Sequence, residues 1–411
     1  MTVSLAFIII LFSITLDFFA EQYLSSLNYK YTLNSNLPPQ LTDIYSNEQY
    51  SNFINYYKDN YKLKLSYSVL SFIIIFSIVT LGLFGIIDNF VNSLTTNYFY
   101  QALLFFGILA VGNIIIHIPY EYYTTFVIEQ RYNFNNTTLK TFILDKIKTY
   151  LISAILISLI IFILINLYLH YGKFFWAYAI VIITIISLII SELYPVIILP
   201  LFYKQTPLEE GEMRNAIEAY LKNINLKISN IYIMNASSRS NKTNAFFTGI
   251  GKFRRIVLFD TIIKNHTKEE IIAIIAHEAG HYKHRHTLIS ILLFFIQTAL
   301  ILYFFSIIID NIYFAKAIGA QHTSFHIGIT ASILLFSIFN IIISPLFNMI
   351  SRHFEYQADK FVKQTYNEQH LISALKKLTT HNLSNINPHP AYVSFYYSHP
   401  TLLQRIQALE K

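Results

Sequence analysis

The stretch IIAIIAHEAGHYKHRHTLISILLFF, residues 271–295, decides how this chain is read. Its first half holds His277, Glu278 and His281 in the spacing H-E-x-x-H. Its second half, from Leu288 on, is apolar enough to enter lipid. Positions i and i+4 share one face of a helix, so His277 and His281 can hold one Zn²⁺ between them. Glu278 then stands beside that ion, where it can take a proton from a water. The spacing therefore predicts a water-using metal site at the edge of a membrane span.

The helix carrying the motif has a clear start. Thr267, with Glu270 three residues on, forms a capping box. No proline follows, so this helix is read as running unbroken into the apolar segment behind it. A catalytic zinc needs a third protein ligand. The Gly-then-His continuation of the metzincins is missing, because His284 and Thr287 stand there. His284 reads as a surface histidine and His286 as one at the membrane interface.

Depth supplies the third ligand. The apolar runs 288–309 and 327–350 make a hairpin that leaves one face of the membrane and returns to it. His281 precedes the first run by seven residues, and Glu355, in SRHFEYQADKF, follows the second by five. At 1.5 Å per residue both stand about 10 Å above the membrane boundary. Glu355 is thus placed to complete the site. Asp359, one turn further, is placed to accept a hydrogen bond from a ligand histidine.

The whole composition agrees with a membrane protein. Of 411 residues, 54% are hydrophobic and only 13% charged, and the mean hydropathy is +0.45. Soluble domains carry nearer a quarter charged residues. The net charge of +7 is spread along the chain. With no basic block, nucleic acid is not an expected partner; the lysines are read as facing anionic lipid. There is no cysteine, so any metal must be held by His, Asp or Glu.

Seven apolar runs are long enough to span a bilayer: 3–19, 66–87, 99–119, 150–170, 174–202, 288–309 and 327–350. The first lacks a basic leader and a small-residue cleavage site and reads as a retained span. Lys30, Lys58, Lys62 and Lys64 follow the first span, and Arg131, Lys140, Lys146 and Lys148 follow the third. The opposite loops hold only Lys173 and Lys316. The basic side is cytoplasmic by the positive-inside rule, which puts 203–287 and the tail from Ser351 in the cytoplasm.

The predicted architecture is an α-helical polytopic membrane protein, 1–202 and 288–350 forming the membrane part. Residues 203–287 form a small α+β unit with the metal-site helix, and 351–411 complete the site. Within that unit 210–224 has helical periodicity, 231–234 reads as a strand, and 244–259 as two strands turning at Gly249 and Gly251.

Several separate motifs, in order, resemble the integral-membrane zinc endopeptidases of the CAAX prenyl protease type I family. They are EQRYNFNNTT (129–138), NAFFTGIGKFRRIVLFDTII (244–263), HEAGH (277–281), SRHFEYQAD (351–359) and YSHPTLLQRIQAL (397–409). The resemblance implies a gluzincin-like domain with one Zn²⁺ on His277, His281 and Glu355, and Glu278 as general base and acid. It implies that His399 and Arg405 stabilise the oxyanion, and that Asn244 and Ala245 begin the edge strand on which a substrate peptide is laid. That last point agrees with β-augmentation at an exposed strand edge. It further implies a water-filled chamber among the seven spans. Asn113, His117, Glu192, Gln297 and Asn340 interrupt the apolar runs and would face such a chamber; for the three amides, interhelical hydrogen bonding explains them equally well. Pro195 and Pro200 predict a kinked fifth span.

The function expected is hydrolysis of membrane-associated polypeptides, prenylated CAAX or misfolded and translocation-stalled ones, with membrane lipid as the surrounding partner. An HtpX-like quality-control protease is the alternative within the enzyme class, and a transporter or scaffold the alternative outside it. HEAGH has alanine where a larger aliphatic residue is common in the family, at a position facing away from the metal. A bacterial inner membrane is favoured by the lack of cysteine, and the endoplasmic reticulum is expected if the source is eukaryotic.

Overall fold

The computed structural model describes residues 1–227, 230–249 and 255–411. Long apolar helices come first: α1 (Val3–Asn34) and α2 (Asn47–Thr80), then the short amphipathic α3 (Leu83–Leu94) and α4 (Tyr98–Tyr123). Next are α5 (Leu139–Tyr171) and α6 (Phe175–Leu193), joined by a tight turn at Gly172–Phe174. After Leu193 the chain unwinds through Tyr194–Ile198 and Leu199–Leu201, where Pro195 and Pro200 remove the amides a regular helix needs. This is the kink expected from the two prolines.

The extramembrane unit has a four-stranded sheet, β1 (Gln205–Pro207), β2 (Asn230–Met234), β3 (Ala245–Thr248) and β4 (Arg255–Phe259), in the order β1-β2-β4-β3. β2 and β4 run parallel, and the two outer strands pair antiparallel. β3 is therefore an edge. It is paired with β4 as the sequence predicted; Gly249 has φ +86, and Gly251 lies outside the described residues. Helices α7 (Glu212–Asn223), α8 (Asp260–Asn265) and α9 (Lys268–Lys283) complete this stretch.

The chain then returns to apolar helix. α10 (His286–Ile308) and the short α11 (Ile312–Ala317) lead to α12 (Phe325–Thr365), a helix of 41 residues. Its apolar first part continues without interruption into a polar second part carrying Glu355 and Asp359. Three short helices close the fold: α13 (Glu368–His381), α14 (Pro390–Tyr396) and α15 (Leu402–Glu410).

Among the described residues six segments are long and apolar enough to cross a membrane. One of them, Leu139–Leu201, has 63 residues and is broken at its middle turn, so it suffices for two passes. Seven passes result. Large apolar side chains such as Ile8, Ile115, Ile155 and Leu292 point outward, as lipid contact requires and as water would penalise.

Two boundaries differ from the sequence reading. The predicted span 66–87 crosses a helix break. α2 begins far earlier, at a Ser46–Gln49 capping box, and its polar first half is invisible to a hydropathy search. It ends before Gly82, whose φ of +64 turns the chain into α3. The helix from Thr267 does not run on into the span either. It stops at Lys283, and Arg285 adopts a left-handed conformation with φ +57 before α10 starts.

The extramembrane core draws on three distant parts of the chain. Ile217, Leu258, Ile271 and Ile275 of the central unit pack with Leu41 and Phe53 from the first loop and with Leu371 and Ile406 from the tail. Ala279, in the middle of HEAGH, is fully buried in this core. The close crossing of α9 over α12 is made at Gly280, where a Cβ would sit 2.9 Å from the Ala358 Cα. Gly280→Val is expected to force the two helices apart, at about 1–3 kcal/mol, and to lower both the thermal transition and the bound metal. Wild-type values for both, by thermal unfolding and elemental analysis, would show that the crossing tolerates a wider spacing.

Candidate metal centre

The site is made where α9 crosses α12. His277 and His281 lie one turn apart on α9, and Glu355 rises from α12 to meet them. The His277 and His281 Nε2 atoms are 3.2 Å apart. Glu355 Oε2 is 3.3 Å from His277 Nε2, and Oε1 is 3.3 Å from His281 Nε2. Those separations form a small triangle of ligand atoms. Ligand bonds of about 2.0–2.1 Å in a tetrahedron put ligand atoms about 3.3 Å apart, so the triangle fits a metal of that size. Glu355 is buried, and its Oε2 has no hydrogen-bond partner among the described residues. A buried carboxylate oxygen left without a donor is costly, and a cation removes that cost.

A further set of groups orients the ligands. His277 Nδ1 is 2.9 Å from Asp359 Oδ1, so the carboxylate accepts from Nδ1–H and turns Nε2 toward the triangle. Arg405 clamps the same carboxylate with Nε to Oδ2 at 2.9 Å and Nη2 to Oδ1 at 2.6 Å. Its Nη2 also lies 3.2 Å from His277 Nδ1; both nitrogens donate to the shared Oδ1, which explains the approach. Burial and the Arg405 charge press the His277 proton off, but the hydrogen bond to Asp359 and the facing Glu355 carboxylate outweigh them and push its pKa up to about 9.

The open side of the triangle faces a cavity of about 660 Å³. Half-buried Glu278 lines it, as do Asn244, Ala245 and Phe247 from the edge strand, Glu192 from α6 and His399. His399 Nε2 is 3.3 Å from Glu355 Oε1, its ring is 64% exposed, and Ser398 Oγ meets Nδ1 at 2.9 Å. Arg405 is buried, and its Nη1 is 3.6 Å from Glu355 Oε2. Glu192 Oε1 is buried without a hydrogen-bond partner among the described residues.

The other intramembrane polar residues divide. Asn113 lines a second, largely apolar cavity of about 690 Å³ between α1, α2, α4 and α12. His117 meets Tyr67 and Glu121, and Asn340 accepts from Ser344. The loop 129–138 has a structural task. Asn136 Nδ2 donates to Ser237 O and Asn241 Oδ1, and Glu129 pairs with Lys242 at 2.9 Å. These bonds anchor the residues leading into the edge strand.

Sequence reasoning missed one residue of the site. His286, expected at the membrane interface, is buried against His281. The signal was unreadable without the break at Arg285. In a continuous helix residues five apart point about 140° away from each other, so only the left-handed turn folds His286 back.

Two histidines and a glutamate grouped so that they could hold a metal, an adjacent carboxylate, a sheet edge and seven membrane passes are the features of a membrane metallopeptidase. Residues 28–204 match the family model described as CAAX prenyl protease N-terminal, five membrane helices, and residues 207–411 match peptidase family M48. The chain belongs to this family. It is 35% identical to the probable CAAX prenyl protease 1 of Schizosaccharomyces pombe over 326 residues, covering 77% of this chain and 67% of that one. It is 31% identical to CAAX prenyl protease 1 of Saccharomyces cerevisiae over 420 residues, covering 96% and 93%. The fold matches the crystal structure of S. mikatae Ste24p with a TM-score of 0.91 and 30% identity, over 98% of both chains.

With its pKa near 9, His277 carries a proton at neutral pH that an incoming metal must displace. Metal affinity is therefore expected to rise with pH, by up to about tenfold per unit for one proton, and to level off above pH 9. Chelator competition across about pH 6.5–8.5 measures the slope; a flat profile would contradict the raised pKa.

Proposed function

We propose that the chain is a zinc endopeptidase that hydrolyses membrane-associated polypeptides, prenylated CAAX-type chains first among them. The observation that carries this reading is the His277–His281–Glu355 triangle, open toward a cavity that an edge strand and membrane helices share. Zinc suits two imidazoles and one carboxylate with a remaining open position. When bound, it supplies Lewis acidity toward the scissile carbonyl and toward a water.

The side chains supply the rest. The free edge of β3, from Asn244 and Ala245 on, pairs with an extended substrate backbone and fixes its register across the cavity. Glu278 takes the proton of the attacking water and returns it to the leaving amine, so that one carboxylate serves as base and then acid. His399, on the open side of the triangle, donates toward the carbonyl oxygen as negative charge develops there. The resemblance gives Arg405 that same task. Its bonds to Asp359 support a prior one: holding the carboxylate that orients His277, while its charge adds to the field at the site. Asp359 keeps the His277 Nδ1 proton in place throughout.

The proposed orientation keeps the metal site on the cytoplasmic side, by the loop-charge asymmetry, in a bacterial inner membrane or the endoplasmic reticulum. The lipid on a substrate would then stay in or beside the bilayer while the peptide reaches the cavity.

Glu278→Gln is expected to keep its zinc and to lose cleavage of a farnesylated CAAX peptide by at least 10²–10⁴-fold, the range for a general base. Retained cleavage in that variant would sink the mechanism, and equal cleavage of the same peptide without its lipid would remove the prenyl preference. A reporter fused after Lys411 should read cytoplasmic; a signal from the opposite side would overturn the orientation.

A further inference from the structure

We propose that His286 is a positioning residue that sets the tautomer of His281, with Gln357 fixing the direction of the relay. This rests on the reading that His277, His281 and Glu355 hold the metal.

Each ligand imidazole must present Nε2 without a proton, and so must keep its one proton on Nδ1. For His277, Asp359 enforces this. Among the described residues no carboxylate lies against His281 Nδ1; its partner is His286 Nδ1 at 3.0 Å. Two imidazole nitrogens at that distance share one proton, and the question is which ring owns it.

The other side of His286 answers it. Its Nε2 is 2.7 Å from Gln357 Oε1. An amide oxygen only accepts, so the proton belongs to His286 Nε2. A neutral His286 then offers a lone pair at Nδ1, and the shared proton belongs to His281. His281 Nε2 is left bare toward Glu355 and His277. Gln357 is held in this orientation in turn: its Nε2 is 3.1 Å from His353 Nε2, to which it donates.

His286 is fixed as well as paired. Only 3% of it is exposed, and its ring stacks on Phe354 at 4.2 Å and 12°. The left-handed backbone at Arg285 brings it there. A residue with a Cβ is disfavoured in that conformation, a cost retained at functional sites when the surroundings enforce it. Phe354, Glu355 and Gln357 all sit on α12, so the helix that carries the third ligand also carries the groups that orient the second.

The test compares His286→Phe with His286→Asn in the full-length, detergent-purified protein. Phenylalanine keeps the stacked ring and loses the acceptor. The Asn Oδ1 takes the place of Nδ1 and still accepts from His281. Zn²⁺ affinity is read by chelator competition and the coordination environment by the absorption spectrum of the Co²⁺-substituted protein. His286→Phe should bind Zn²⁺ 10–100-fold more weakly than wild type, and His286→Asn should recover most of that loss with a wild-type Co²⁺ spectrum. Equal affinity in His286→Phe and wild type would overturn the inference, and so would an Asn variant as weak as the Phe variant, which would leave His286 only a packing role. If His286→Phe fails to fold, Gln357→Glu and Gln357→Met decide: the carboxylate still accepts from His286 and should keep the affinity, and the thioether should lose it severalfold. Equal affinity in those two would also overturn it. Wild-type protein that binds no Zn²⁺ would instead defeat the metal reading itself.

Discussion

The close crossing of two helices sets everything else in this molecule. α12 leaves the membrane and keeps going, and α9 lies across its extension at a spacing that only a glycine allows. Ala358 meets Gly280, and that contact places His277 and His281 one turn apart above Glu355 and Asp359. The site is therefore tied to the bilayer by one continuous helix, with Pro345 in its apolar part. Its distance from the membrane is set by helix length and not by a flexible loop. In the proposed function, a polypeptide tethered to lipid would meet the site at a fixed height.

Around this crossing the charges are arranged in a closed chain. Glu355 faces two imidazoles, and its Oε2 has no hydrogen-bond partner among the described residues. Asp359 accepts from both His277 Nδ1 and Arg405, and so holds the imidazole proton on Nδ1, away from the triangle. Arg405 is buried, which is tolerable because two of its nitrogens meet that carboxylate. His399 joins this group from the exposed side, its Nε2 3.3 Å from Glu355 Oε1. Residues from three distant segments converge, and the core beneath them is equally composite. Leu41 and Phe53 from the first loop and Ile406 from the tail pack with the motif helix, so the site cannot be assembled from the central segment alone.

Much of this was legible in the sequence, for reasons that can be named. H-E-x-x-H is a local pattern, and helical geometry fixes what its residues can touch. Glu355 was found through depth: two lipid-bounded helices of known rise must bring residues at equal height together. The prolines after Glu192 marked the unwinding of α6. What stayed hidden depended on single backbone angles or on long-range pairing. The left-handed Arg285 ends α9 without a glycine or proline to announce it, and so concealed His286. Gly82 divides what hydropathy read as one span. The parallel pairing of β2 with β4, and the strand at Gln205–Pro207, need partners that no local pattern reveals. The clamp of Arg405 on Asp359 joins residues 46 positions apart and was invisible to spacing.

An anomalous-difference map at the zinc edge, from crystals of the full-length protein grown with Zn²⁺, tests the crossing most directly. A single peak about 2 Å from His277 Nε2, His281 Nε2 and a Glu355 carboxylate oxygen is expected. A peak elsewhere, or a metal held by the two histidines with Glu355 turned away, would contradict the claim that the membrane-rooted helix completes the site.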